Sequence, residues 1–349
     1  MAKQVKETTV SLTARRSGRA AKRSKRSLPG VRRFSVLLSI TVLVQLVLLP
    51  VGFTQTRRTS RSGAHSSASR ESFSPADRLM VERAIGATCA ERARDPLGSM
   101  PIDQMQGRPS LPVSSPEAVA GTRRAGRLLP TTRKLVTNAI IQLAKDYDLY
   151  STTINRARVD SALARVEAVK RVKPDVDARD NASVLLREPR TIEFGTIFLA
   201  GLRSDEAMIS VLSHELTHIA SGQTDSLRPL FRAIARRAGA RTGLRIQGQR
   251  AEELACDLVG IIAAREFIRE TPSWEPLARR LARAFEHNCV DDDASDEDHL
   301  SPRNTIRTLF ALDVGLAAEI LNGASVSISI LPKPFARSAI VLTASIRHS

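Results

Sequence analysis

The sequence predicts an α+β fold, mostly helical with a small sheet, preceded by one transmembrane helix and a disordered tether. Three observations carry this. Apolar residues recur at helical spacing over long stretches between 131 and 321, as in Ile140, Ile141, Leu143 and Ala144. Two short runs rich in Val, Ile, Leu and Phe, Ser183–Leu186 and Thr191–Leu199, interrupt that texture around Pro189 and read as strands. Phe34 to Phe53 is a 20-residue stretch without a charge.

That stretch is about 30 Å long as a helix, the thickness of a bilayer's hydrocarbon core. Residues 1–70 hold fifteen Lys or Arg against the single acid Glu7, while the other 279 residues carry only +3 of the net +17. The positive-inside rule then makes residues 1–33 a basic cytoplasmic tail and puts the chain after Phe53 on the non-cytoplasmic side, periplasmic or extracellular in a bacterium. A cleaved signal peptide and an organelle presequence are the alternatives. The charge belongs to a tail that lacks aromatic residues for base stacking, so no nucleic-acid partner is expected.

Residues 54–127 read as a linker. Residues 54–75 are Ser/Arg-rich, a short helix at 76–94 holds Cys89, and residues 95–130 are rich in Pro, Gly and Ser. The catalytic unit is expected over 128–349, with 42% hydrophobic residues in the chain but 4% aromatic, so its core rests on Leu, Ile, Val and Ala. Helices are expected at 131–147 and 155–172. Ser204 is a natural N-cap, with Asp205 and Glu206 in the first turn, for a helix that stops at Gly222. A basic amphipathic helix follows at 227–238, then helices at 250–270 and 305–321. Ser325–Ile330 and Ile340–Ile346 read as terminal strands. One pair among Cys89, Cys256 and Cys289 could bridge in an oxidising compartment, leaving one thiol over.

His214-Glu215-Leu216-Thr217-His218 is an H-E-x-x-H motif on the helix capped by Ser204. Positions i and i+4 share a helical face, so two imidazoles can reach one zinc, and the intervening Glu215 can touch a zinc-bound water and take its proton. A third protein ligand is needed. Ser221 and Thr224 stand where a Gly-x-x-His continuation would lie, so a distant carboxylate is expected. Glu253 and Asp257 lie at i, i+4 on the next long apolar helix, Glu253 as the third zinc ligand and Asp257 as hydrogen-bond partner of a ligand histidine. Glu252 points about 100° away and reads as a solvated acid. A Cys256 thiolate is an alternative ligand.

Five stretches resemble the zinc peptidase family of the HtpX heat-shock protease and the CAAX prenyl endopeptidase: Asp180–Ser183, Thr196–Leu202, Asp205–Ile219 (DEAMISVLSHELTHI), Glu253–Gly260 and His299–Leu309. The resemblance implies a zincin-like metallopeptidase domain of the gluzincin type, one Zn2+ held by His214, His218 and Glu253, Glu215 as general base, and Asp257 supporting a ligand histidine. It also implies that a peptide substrate, membrane-associated ones included, pairs with an edge strand within Thr191–Leu199. His299 and Arg307, or Arg303 in its place, are weaker candidates for stabilising the transition state. There the segment departs from the family, with Leu300 in place of a proline and Thr305 where an arginine is usual. The expected function is a membrane-anchored zinc endopeptidase. The rivals are a catalytically inactive anchored chaperone or assembly factor that keeps a metal site, and a membrane-surface or nucleic-acid binder acting through the basic tail.

Overall fold

The computed structural model describes residues 10–11, 73–100, 108–179, 181–184, 191–222, 226–285, 288–289 and 295–329. The expected span at 34–53, its tether and the expected strand at 340–346 lie outside the described residues. Among the described residues no helix is long and apolar enough to cross a membrane.

The architecture is α+β, mostly helical around a small sheet. The helices are α1 (Pro75–Arg94), α2 (Pro116–Asp146), α3 (Thr153–Ala168), α4 (Thr196–Gly201), α5 (Asp205–Ser221), α6 (Arg228–Thr242), α7 (Gln249–Glu270), α8 (Leu277–Ala284), α9 (Pro302–Leu312) and α10 (Val314–Ser329). The strands are β1 (Val10–Ser11), β2 (Arg171–Asp175), β3 (Ala182–Val184) and β4 (Thr191–Gly195), in the order β1-β3-β4-β2. β2 runs parallel to β4, and β3 antiparallel to it.

Helix α5 is the hub. Its Met208, Ile209, Leu212 and Leu216 are fully buried, and α2, α3, α7 and α8 pack around it. It forms as its caps direct. The Ser204 side chain accepts from the Ala207 amide at 3.1 Å, and Gly222 ends it at φ +58°, a conformation glycine adopts without a Cβ clash. Arg165 of α3 donates to the carbonyls of Ile219, Ala220 and Ser221, setting a cation against the negative helix end. Helix α7 approaches α5 closely at Gly260, where a Cβ would stand 2.8 Å from the Ser210 carbonyl oxygen.

A buried ion cluster ties the first turn of α5 to α8 and to the C-terminal end of α1. Arg280 meets Glu206 at 2.6 Å, and Arg283 meets Asp95, the C-cap of α1, as well as Glu275 at 2.8 Å. A disulfide between Cys89 and Cys289 joins α1 to the segment after α8, across 200 residues of chain. Cys256 stays a buried free thiol.

Several expectations need correction. The stretch read as linker is helical from Pro116. Gly121 looks like a loop residue, but it lets α2 cross α4, where a Cβ would stand 2.4 Å from the Leu199 carbonyl oxygen. The expected strand Thr191–Leu199 ends at Gly195 and turns into α4, because a short apolar run suits strand and buried helix equally. β4 is also internal, paired on both sides, so it offers no free edge to a peptide. Residues 171–175 form β2 rather than a helix end, and α8 was not foreseen. Residues 305–321 divide at Asp313, which accepts from the Leu316 amide at 2.9 Å and starts α10. α10 runs to Ser329 where a strand was expected.

Burial opposes the charged form of the Asp95 carboxyl, but its hydrogen bonds to Arg283 hold its pKa below the usual range, and Arg283 also lowers that of Glu275. A depressed folded-state pKa stabilises above the unfolded value, about 3.9–4.3, and that contribution fades as pH falls through the folded value. Arg283→Ala should therefore lower stability at neutral pH by about 3–5 kcal/mol, since it leaves buried carboxylates unpaired. It should also move the acid-unfolding midpoint to higher pH. Denaturant titration at a series of pH values tests both; a loss below about 1 kcal/mol would remove the cluster's structural role.

Candidate metal centre

Two helices that run antiparallel build the centre. His214 and His218 stand one turn apart on α5, and Glu253 and Asp257 stand one turn apart on α7. Asp257 Oδ1 lies 2.8 Å from His214 Nδ1, and Glu252 Oε1 lies 2.9 Å from His218 Nδ1. A carboxylate only accepts, so both rings carry their proton on Nδ1 and turn Nε2 inward.

The two Nε2 atoms are 3.1 Å apart. Glu253 Oε2 stands 3.2 Å from that of His214 and 3.5 Å from that of His218, yet accepts no hydrogen bond, although it is buried. Its other oxygen, Oε1, accepts from Gln249 Nε2 at 2.7 Å. With both rings neutral, three acceptors face one point with no donor between them, an arrangement that costs energy unless a proton or a metal cation sits there. Donors at about 2.0–2.1 Å around a tetrahedral zinc stand about 3.3 Å apart, and the three separations bracket that value. The residues present fit a metal ion.

The electrostatics agree. Burial lowers the pKa of His214, but Asp257 and Glu253 more than offset it, so the net shift is strongly upward. His218 shifts upward too: burial again opposes it, and Cys256, Glu252 and Glu253 override burial. Burial pushes Glu253 up, and the two histidines pull it far below the usual carboxylate range. The centre draws positive charge.

Glu215 is buried on the same helix, and among the described residues its carboxylate has no hydrogen-bond partner. Burial raises its pKa, and the neighbouring histidines partly counter this. It is a buried ionisable group close enough to feel His214, His218 and Glu253.

Cys256 is a second possible third donor. Its sulfur and donor atoms of both histidines lie within 4.8 Å of one another, a possible metal-binding cluster. Burial raises its pKa, and the charges of the two histidines oppose that shift. Glu253 is the better donor, because it is charged and lacks any other partner for Oε2.

The remaining candidates separate. His299 reaches the centre: its Nε2 lies 3.7 Å from Glu253 Oε2, and Asp296 holds its Nδ1 at 3.1 Å. Arg250 in turn holds the Asp296 carbonyl. Arg307 instead pairs with Glu82 of α1 at 2.7 Å, and Arg303 is exposed. Glu252, read as a solvated acid, is corrected to the partner of His218. Gln249 and Asp296 were missed. The antiparallel course of α5 and α7 explains Glu252, since the step of four from His214 to His218 is answered by a step of five back from Asp257 to Glu252. No protein-family model matches the chain, nor does any characterised protein or solved structure.

A mutant series should grade with these contacts. Glu253→Gln should lower zinc affinity most, and Glu252→Ala and Asp257→Ala by about 10–100-fold each, by freeing the ring of their histidine. Competition titration against a chromogenic chelator measures this. Unchanged affinity in Glu253→Gln would pass the third position to Cys256.

Proposed function

We propose that the protein is a membrane-anchored zinc-dependent endopeptidase. The observation that carries this is the convergence of His214 Nε2, His218 Nε2 and the unpartnered Glu253 Oε2, with buried Glu215 on the same helix. His214, His218 and Glu253 would hold the zinc, leaving a position for water. A zinc ion bound there lowers the pKa of a water and polarises a peptide carbonyl.

The chain's own residues supply the rest. Glu215 takes the attacking water's proton on its carboxylate and returns it to the departing amine nitrogen. Its upward-shifted pKa favours that return. Asp257 and Glu252 hold each histidine as the Nδ1–H tautomer, so Nε2 stays a lone-pair donor. Gln249 fixes Glu253 through Oε1 and leaves Oε2 for the metal. The edge strands of the sheet are β1 and β2, and β2 is the strand we assign to peptide pairing.

The 20-residue apolar run at 34–53 supports the anchor. The Cys89–Cys289 disulfide supports a non-cytoplasmic side, because such bonds persist in oxidising compartments. The resemblance to the zinc peptidase family points the same way.

Glu215→Gln should abolish cleavage of an unstructured protein such as casein, while zinc stays near one per chain. A purified variant that binds zinc and still cleaves would refute the mechanism. If the wild type binds zinc but cleaves nothing in a broad peptide library, the inactive assembly factor takes its place.

A further inference from the structure

From Ser226 to Ala251 the chain holds seven arginines and no acid. Five of them lie on α6, whose other side is buried through Leu230, Phe231, Ile234, Ala235 and Ala238. Arg228, Arg232 and Arg236 repeat every four residues and are exposed, so they form one stripe along the helix. Among the described residues Arg232 and Arg236 have no ion-pair partner. A merely solvated helix face usually interleaves both signs, as where Arg269 meets Glu266 on α7. Like charges at i, i+4 cost about 0.2–0.5 kcal/mol a pair. The uniform sign of α6 calls for a polyanionic neighbour.

The place of this helix in the fold identifies the neighbour. The guanidinium of Arg241, in the last turn of α6, stands over the ring of Phe73 at 5.9 Å. Phe73 is where the described fold resumes after the apolar run and its tether. The basic helix therefore adjoins the point at which an anchored chain enters its catalytic domain. Asp77 at the start of α1 is close enough to feel Arg241, but it is held in the cap by Ser74. Basic segments next to a membrane span are drawn to acidic lipid at about 1 kcal/mol per residue.

We infer that the exposed arginine stripe of α6 docks the domain on the acidic lipid headgroups of the bilayer. The inference rests on the proposed anchor. It also bears on the substrate. Residues 243–248 lead from α6 directly into α7, whose first turns carry Gln249, Glu252 and Glu253. Docking through α6 sets that end of the metal centre against the bilayer, where polypeptide segments emerging from the membrane are within reach.

The test uses the full chain reconstituted in vesicles of phosphatidylcholine, with or without phosphatidylglycerol. Ala240→Cys, exposed one turn beyond Arg236, carries a fluorophore; Cys89 and Cys289 are joined and Cys256 is buried, so labelling is selective. The label should be quenched by a headgroup-nitroxide lipid in the acidic vesicles only. High salt, or Arg232→Glu with Arg236→Glu, should remove the quenching, at about fivefold per arginine in the docked-to-undocked ratio. Equal quenching in both vesicle types, or none in either, would overturn the proposal. So would shielding of the label by added RNA or DNA that acidic lipid does not reproduce. Flotation with neutral vesicles reads the anchor separately: if the chain fails to float there, the anchor reading falls. The lipid-charge dependence of flotation and quenching then still decides the role of α6. An unchanged melting curve of the double variant shows that the fold is intact.

Discussion

The close approach of α5 and α7 is the constraint on which the rest of this structure depends. It is possible because Gly260 carries no Cβ where the Ser210 carbonyl would meet it. At that separation the carboxylates of α7 reach the histidines of α5. Were the helices an ångström or two further apart, His214–Asp257 and His218–Glu252 would lose hydrogen-bond distance together. Both rings would then be free to rotate, and Nε2 would no longer be held inward. The lower half of the α5–α7 pair, at His214 and Glu253, makes the metal centre. The upper half, at Glu206, joins the Arg280–Glu206 and Arg283–Asp95 cluster, which binds the pair to α1 and α8. One packing contact thus serves a site that attracts a cation and a cluster that balances buried charge.

The two halves treat charge differently. In the upper cluster every carboxylate has a guanidinium against it. In the metal centre Glu253 Oε2 is left with three imidazole nitrogens nearby and no hydrogen bond. The contrast matters, because buried polar atoms are nearly always satisfied, and an orphaned one asks for an explanation. A small cation held between these donors would account for it, and the separations of 3.1–3.5 Å suit one.

Outside the α5–α7 pair, the helices set exposure rather than chemistry. α6 buries its apolar side on α7 and α9 and leaves its arginines outward. α1 closes over α9 and α10, and the disulfide pins it to the segment after α8. That segment leads on to Asp296 and His299, so the covering helix and the rim of the metal centre share one covalent tie.

The sequence by itself determined the helix that carries His214, Glu215 and His218, down to its Ser204 cap and Gly222 stop, because capping and amphipathic spacing act within a few residues. It also determined Glu253 and Asp257 as a pair on one face of the next helix. Only the tertiary structure decided that Glu252 belongs to His218, that Cys89 and not Cys256 bridges to Cys289, and that Arg307 turns away to Glu82. Only it decided that Gly121 is a helix crossing and β4 an inner strand. Each of these depends on what a distant segment brings near. A carboxylate one position around a helix, a glycine or a short apolar run looks the same in sequence whether it faces solvent or another backbone.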